Sequence, residues 1–168
     1  LYGVELPVNG GNTRWASLYR AYSTLSNNMK NTIDRLVGTF SYQARAGEVV
    51  KTDDNHDRVR RIRETPDVKH PLVNVNPATG RKALYIDPGT LIGIDGMPQD
   101  EADSLLDELL VHTVQPDNVY EHDWQVGDLV LWDNAVVLHA RDAFPSEENR
   151  LVKRMIIKLD QTQYIIPP

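Results

Sequence analysis

No run of apolar residues in this sequence is longer than about four. A membrane-crossing helix needs roughly 18 or more, so the chain must build its interior from short elements. Residues 129–132 and 135–138 are such runs, and each ends at a polar residue. Brief apolar stretches bounded by Gly, Pro, Asn and Asp are the mark of strands a few residues long. The chain has 168 residues, 40% of them apolar and 25% charged. That is enough for one domain with a buried core.

Residues 1–6 read as a short strand, ended by Pro7 and the Asn9-Gly10-Gly11 turn. Asn12 and Thr13 offer side-chain oxygens as helix caps, and Trp15, Leu18, Tyr19, Tyr22 and Leu25 follow at helical spacing. Ser26 stands as a second cap before Met29, Ile33, Leu36 and Val37. Residues 14–37 are therefore expected to form two short helices, or one broken near Ser26. In 45–69, thirteen of 25 residues are charged. A polar loop with a fragment of helix is expected there, or a lid over a site. Residues 72–76 and 82–87, around Pro77-Ala78-Thr79-Gly80, read as a β-hairpin. Residues 98–113 give the clearest helix, with Asp100 and Glu101 in its first turn and Ala102, Leu105, Leu106, Leu109 and Leu110 on its apolar face. The remainder reads as β: 119–124, a turn at 125–128, then 129–132, 135–139 and 151–159. Short strands with helices grouped earlier and between suggest a single mainly β domain over 1–168, a sandwich or jelly roll with helices outside.

The chain opens Leu1-Tyr2-Gly3 with no initiator Met and no signal-peptide pattern, as though within a strand. The expectation is that it is the C-terminal part of something longer.

The absence of Cys excludes disulfides, zinc ribbons, iron–sulfur clusters and a thiol nucleophile, and it fits a cytoplasmic protein. Eighteen Lys and Arg against 24 Asp and Glu leave a charge of −6, which argues against a nucleic-acid partner. Of the five histidines, His56 lies in the charged stretch, His112 ends the clear helix, His70 stands at a strand entrance and His122 alternates with Tyr120 and Trp124. A structural role is the commoner expectation for each, with metal ligation as the alternative. His139 ends the apolar run 135–138, where a polar ring needs a partner. Arg150 and Arg154 are four apart, so on a strand both face one way. Two guanidiniums on one face need water or an anion, and Arg suits a carboxylate. Thr13, beside the Gly-Gly turn, can cap a helix or hold a ligand carboxylate.

Several segments together resemble a known family. Gly10-Gly11-Asn12-Thr13 is similar to its "GGDT" segment. His70-Pro71-Leu72-Val73, with the stretch from Pro77 to Tyr85, resembles its "HPLV…HP.(T/S)GRKALY" hairpin. The stretch from Gly127 to Asn134, then Leu138-His139, resembles "GDLVLWDNR…LH", and Arg150 and Arg154 stand 11 and 15 residues past His139, as in the family. The family is that of taurine dioxygenase and 2,4-dichlorophenoxyacetate dioxygenase, Fe(II)- and 2-oxoglutarate-dependent oxygenases.

The resemblance implies a double-stranded β-helix (a jelly roll) with helices outside. It implies a facial triad of His-x-Asp and a distant His holding the iron, with three positions left open. The distant His maps to His139. Arg150 maps to the clamp on the remote carboxylate of 2-oxoglutarate, Thr13 to its helper, and Arg154 to a second arginine near cosubstrate and substrate. The implied reaction consumes dioxygen and 2-oxoglutarate, releases succinate and CO2, and oxidises a C–H bond; Arg154 and the polar stretch 45–69 suggest that the substrate is a small polar or anionic molecule. The family is often oligomeric. The sequence departs from the pattern in four places. None of its five histidines has Asp or Glu two positions later, Asn12 replaces the Asp of "GGDT", Ala135 replaces the Arg after "WDN", and Asn74 and Asn76 replace hairpin Arg and His. The first departure leaves a non-catalytic carboxylate-binding or interaction module as the alternative.

Overall fold

The computed structural model describes residues 1–44 and 56–157. Its elements in chain order are β1 (Tyr2–Glu5), β2 (Thr13–Ser17), α1 (Leu18–Thr24), α2 (Asn27–Ile33), β3 (Val37–Phe40), α3 (His56–Glu64), β4 (Val68–Pro71), β5 (Val73–Val75), β6 (Lys82–Leu84), β7 (Leu91–Ile94), α4 (Gln99–Thr113), a 3-10 turn at Pro116–Asn118, β8 (Val119–His122), β9 (Val137–Arg141) and β10 (Leu151–Lys153). The described strands pair antiparallel throughout, in four small sheets: β1-β10, β8-β2-β9, β4-β3-β7 and β5-β6. The architecture is mostly β with helices. No helix among the described residues is long and apolar enough to cross a membrane.

The interior forms where α1 packs on β6 and on α4, and α4 on β7. Leu18, Ala21, Leu72, Leu84, Ala102 and Leu109 are buried there. The expected hairpin is present as β5 and β6, with Val73 opposite Leu84 and Val75 opposite Lys82. Its turn is held by Asn76 Oδ1, which accepts from the backbone N–H of Ala78 and Thr79 at 3.0 Å each. The expected helix is α4, and its acidic first turn suits the positive end of the helix dipole. His112 in its last turn places Nε2 3.0 Å from both Ala21 O and Thr24 Oγ1, joining α4 to α1.

Other expectations need correction. Residues 13–17 are a strand, and the helix begins only at Leu18, capped by Ser17 Oγ accepting from Arg20 N at 3.2 Å. Asn12 and Thr13 therefore cap nothing. Trp15 and Leu18 are three apart, a spacing that fits one helix face but also a buried strand running into a helix. The ladder to β8 and β9 on both sides decides for strand. Ser26 caps α2 as expected, accepting from Met29 N at 3.1 Å. That helix stops at Ile33, and Val37 enters β3. Of the polar stretch 45–69, residues 45–55 lie outside the described ones; α3 and the start of β4 occupy part of the rest.

Residues 129–132 form no strand. They have a single bridge, Leu129 to Tyr2, and a bond from Val130 N to Leu1 O at 2.9 Å, with no longer ladder among the described residues. β9 starts two residues later than expected because Asp133 folds 133–136 into a turn. Its Oδ1 takes Ala135 N and its carbonyl takes Val136 N. The last strand is short. Arg150 and Arg154 flank β10 instead of alternating along it, and 158–159 of the expected strand lie outside the described residues.

Candidate active site

The site is built on β2, the central strand of β8-β2-β9. Residues directly opposite in an antiparallel ladder share a face. Thr13 faces His122 on one side and Arg141 on the other; Trp15 faces Tyr120 and His139. One face of the sheet thus gathers Thr13, Trp15, Tyr120, His122, His139 and Arg141. Trp132 covers part of it, its ring centroid 5.1 Å from Trp15 and 5.4 Å from His139.

Arg150 reaches this face from the loop before β10. Its Nε donates to Gly11 O at 3.1 Å and its Nη2 to Thr13 Oγ1 at 3.5 Å, and its guanidinium stands 6.0 Å from the centre of the Trp124 ring. Trp124 Nε1 also donates to Thr13 Oγ1, at 2.9 Å. A threonine hydroxyl has two acceptor lone pairs and one hydrogen. Both lone pairs of the buried Thr13 are taken by donors, so the hydrogen is what it has left to offer, and an anion is its natural acceptor. Gly11 is required here. It sits at φ +70°, and a Cβ would lie 2.9 Å from Pro7 Cγ and 3.3 Å from Arg150 Cδ. Burial lowers the Arg150 pKa below its ordinary value, and the positive charge of Arg141 lowers it further.

The sequence-predicted residues are therefore partly brought together. Thr13 and Arg150 touch. His139 is exposed on β9, opposite the neighbour but one of Thr13, about 7 Å along the strand. Arg154 follows β10, exposed, and no hydrogen bond or ion pair ties it to Thr13, Arg150 or Trp124 among the described residues. Trp124, Gly11 and Arg141 belong to the site but were not singled out. Trp124 and Arg141 are distant in sequence from Thr13, and only the register of β2 brings them to it.

Of the other histidines, His112 joins α4 to α1, His122 is engaged within the sheet, and His70 lies in another sheet. His122 Nδ1 lies 3.0 Å from the Tyr120 hydroxyl and Nε2 2.9 Å from Asp128 Oδ2, so both ring nitrogens are occupied. His70 is buried in another sheet, between Phe40 and Tyr85. Among the described residues no three His, Asp or Glu side chains gather as a metal ion would need. His139 offers a single ligand. Iron does not fit on these residues alone, and no chemical step is derived through it.

The family model "Taurine catabolism dioxygenase TauD, TfdA family" matches residues 1–156. The alpha-ketoglutarate-dependent 2,4-dichlorophenoxyacetate dioxygenase of Burkholderia sp. strain RASC is 34% identical over 154 residues, 92% of this chain and 50% of the relative. Pentalenolactone F synthase of Streptomyces arenae is 31% identical over 169 residues, 95% of this chain and 56% of the relative. Among solved structures, a taurine dioxygenase from Burkholderia xenovorans superposes with TM-score 0.71 at 29% identity, covering 89% of this chain and 47% of the other. AAD-2 in complex with Mn(II) and N-oxalylglycine superposes with TM-score 0.75 at 30% identity, covering 88% and 57%. The chain belongs to the TauD/TfdA dioxygenase family. It spans about half the length of the curated relatives it matches.

Proposed function

We propose that the protein is a 2-oxoglutarate-dependent dioxygenase that oxidises a C–H bond of a small polar or anionic molecule, with release of succinate and CO2. The reading includes a double-stranded β-helix as the fold and residues 1–168 as one unit of it. The observation that supports it most is the Arg150–Thr13–Gly11 cluster. Arg150 pairs with no carboxylate among the described residues, although the chain carries more acids than bases. A half-buried guanidinium left without a counter-ion is costly, and a bound carboxylate removes that cost.

The chain's own residues then have distinct tasks. Arg150 grips the distal carboxylate of 2-oxoglutarate through its outer nitrogens, while Gly11 O fixes Nε. Thr13 donates its hydroxyl hydrogen to the same carboxylate, and Trp124 holds that hydroxyl in place. His139, with the Trp132 ring beside it, is the metal ligand we assign in this chain. Arg154 is assigned to an anionic group of the substrate.

Replacing Arg150 by Met tests the reading. Calorimetric titration of the intact protein with 2-oxoglutarate, Mn(II) present, is expected to show an affinity about 10–100-fold weaker than wild type, the cost of a charge-assisted two-pronged bond. Affinity within twofold of wild type would remove Arg150 from the site.

A further inference from the structure

Arg141 is a second guanidinium on this face. It stands directly opposite Thr13 across the β2–β9 ladder, on the face that Arg150 reaches. Its guanidinium carbon lies over the Phe144 ring, 4.7 Å from its centre, within cation–π reach. Among the described residues no ion pair joins it to an acid, and four acids of the surrounding elements have other partners. Asp142, the next residue, points to the other face and bonds Arg14 at 3.0 Å; Glu121 bonds Arg14 at 2.9 Å. Asp128 holds His122 and the backbone N–H of Gln125. Glu148 holds the backbone N–H groups of Val8 and Asn9. Two arginines, Arg150 half-buried and Arg141 exposed, thus stand near one another without an acidic partner among the described residues, in a chain of net charge −6. Their mutual repulsion is relieved when an anion arrives between them.

We propose that Arg141 is a second oxyanion-binding residue of this site, sharing with Arg150 the carboxylate that Arg150 and Thr13 hold. The inference rests on the proposed function, and it assigns to Arg141 a role in choosing the oxo acid. A 2-oxo acid with a distal carboxylate meets two guanidiniums and a hydroxyl; one without it gains nothing from them. Arg154, exposed beyond β10, does not supply this second charge.

The test compares 2-oxoglutarate with 2-oxobutyrate, which lacks the distal carboxylate, on the intact protein with Mn(II) present. Binding is followed by tryptophan fluorescence, since Trp124 lies beside Arg150, and by calorimetry. In Arg141→Met the affinity for 2-oxoglutarate is expected to fall about tenfold while that for 2-oxobutyrate stays within twofold, and Arg141→Lys is expected to recover part of the loss. An Arg141→Met protein that keeps the wild-type preference overturns the proposal, as does one that loses affinity for both acids equally. If Arg150→Met abolishes the preference while Arg141→Met does not, the proposal alone fails. If the wild type has no preference, the reading of Arg150 fails with it.

Discussion

At the scale of single residues, the site depends on hydrogen-bond capacities that a sequence lists but does not allocate. Thr13 reads as a helix cap, the commoner use of such a hydroxyl, or as a ligand-binding group. In the fold its hydroxyl is engaged by Trp124 and Arg150, which arrive from more than 100 positions away and occupy its lone pairs. His70 shows the opposite case, a buried ring whose Nδ1 has no hydrogen-bond partner among the described residues. It is 6% exposed, its Nδ1 is buried and unbonded, and it packs against Phe40 and Tyr85. Burial pushes its pKa below the ordinary imidazole value of 6.5. The folded state therefore binds the proton less readily than the unfolded chain. Above 6.5 neither is protonated and the fold keeps its full stability; as pH falls below 6.5 the unfolded chain takes up the proton first and stability is lost. Urea unfolding at successive pH values should show this decline above the range where carboxylates titrate, and His70→Phe should flatten it. An acid limb identical in the two proteins would show that His70 contributes nothing to it.

At the scale of elements, legibility tracks how far an element is defined by its own residues. The hairpin β5–β6 and the helix α4 are readable because their signals are local: a Pro-x-x-Gly turn closed by Asn76, and an acidic first turn followed by a leucine face. β2 is not readable, because five residues with two aromatic or aliphatic anchors become a strand only when β8 and β9 flank them. The same applies in reverse to 129–132, an apolar run that lacks a ladder among the described residues and is no strand. Of the candidate site, Thr13, His139 and Arg150 are legible from residue context together with the resemblance of motifs, whereas Arg141 and Trp124 need the register. A direct check on the role of α4 is Leu109→Ala. Leu109 is fully buried where α4 meets the interior, so its truncation is expected to cost about 2–5 kcal/mol in denaturant unfolding. A loss below about 1 kcal/mol would mean that the helix is not held by this face.

At the scale of the whole molecule, two opposed surface properties meet. The net charge of −6 keeps copies of the chain apart. Along the ribbon of β1, β10 and 129–131, however, large apolar side chains face outward: Leu129 and Leu131 are 77% and 78% exposed, and Met155 and Ile156 beyond β10 are 83% and 71%. Exposed apolar side chains gathered in this way favour association. Which property wins depends on salt, because the charge acts over a Debye length that shrinks from about 30 Å at 0.01 M to about 8 Å at 0.15 M, while apolar contact is short-ranged and hardly screened. The 168-residue chain on its own is therefore expected to stay dispersed at low ionic strength and to associate as salt is raised, with a parallel rise in the fluorescence of a hydrophobic dye. The double variant Leu131→Lys with Ile156→Lys sharpens the test, because the two effects it combines pull in opposite directions. It moves the net charge from −6 to −4, which weakens repulsion, and it interrupts the apolar ribbon. If the ribbon governs association, light scattering at 0.15 M salt falls in the double variant despite its smaller charge. If scattering rises instead, the monopole is the controlling term and the ribbon is not the adhesive surface.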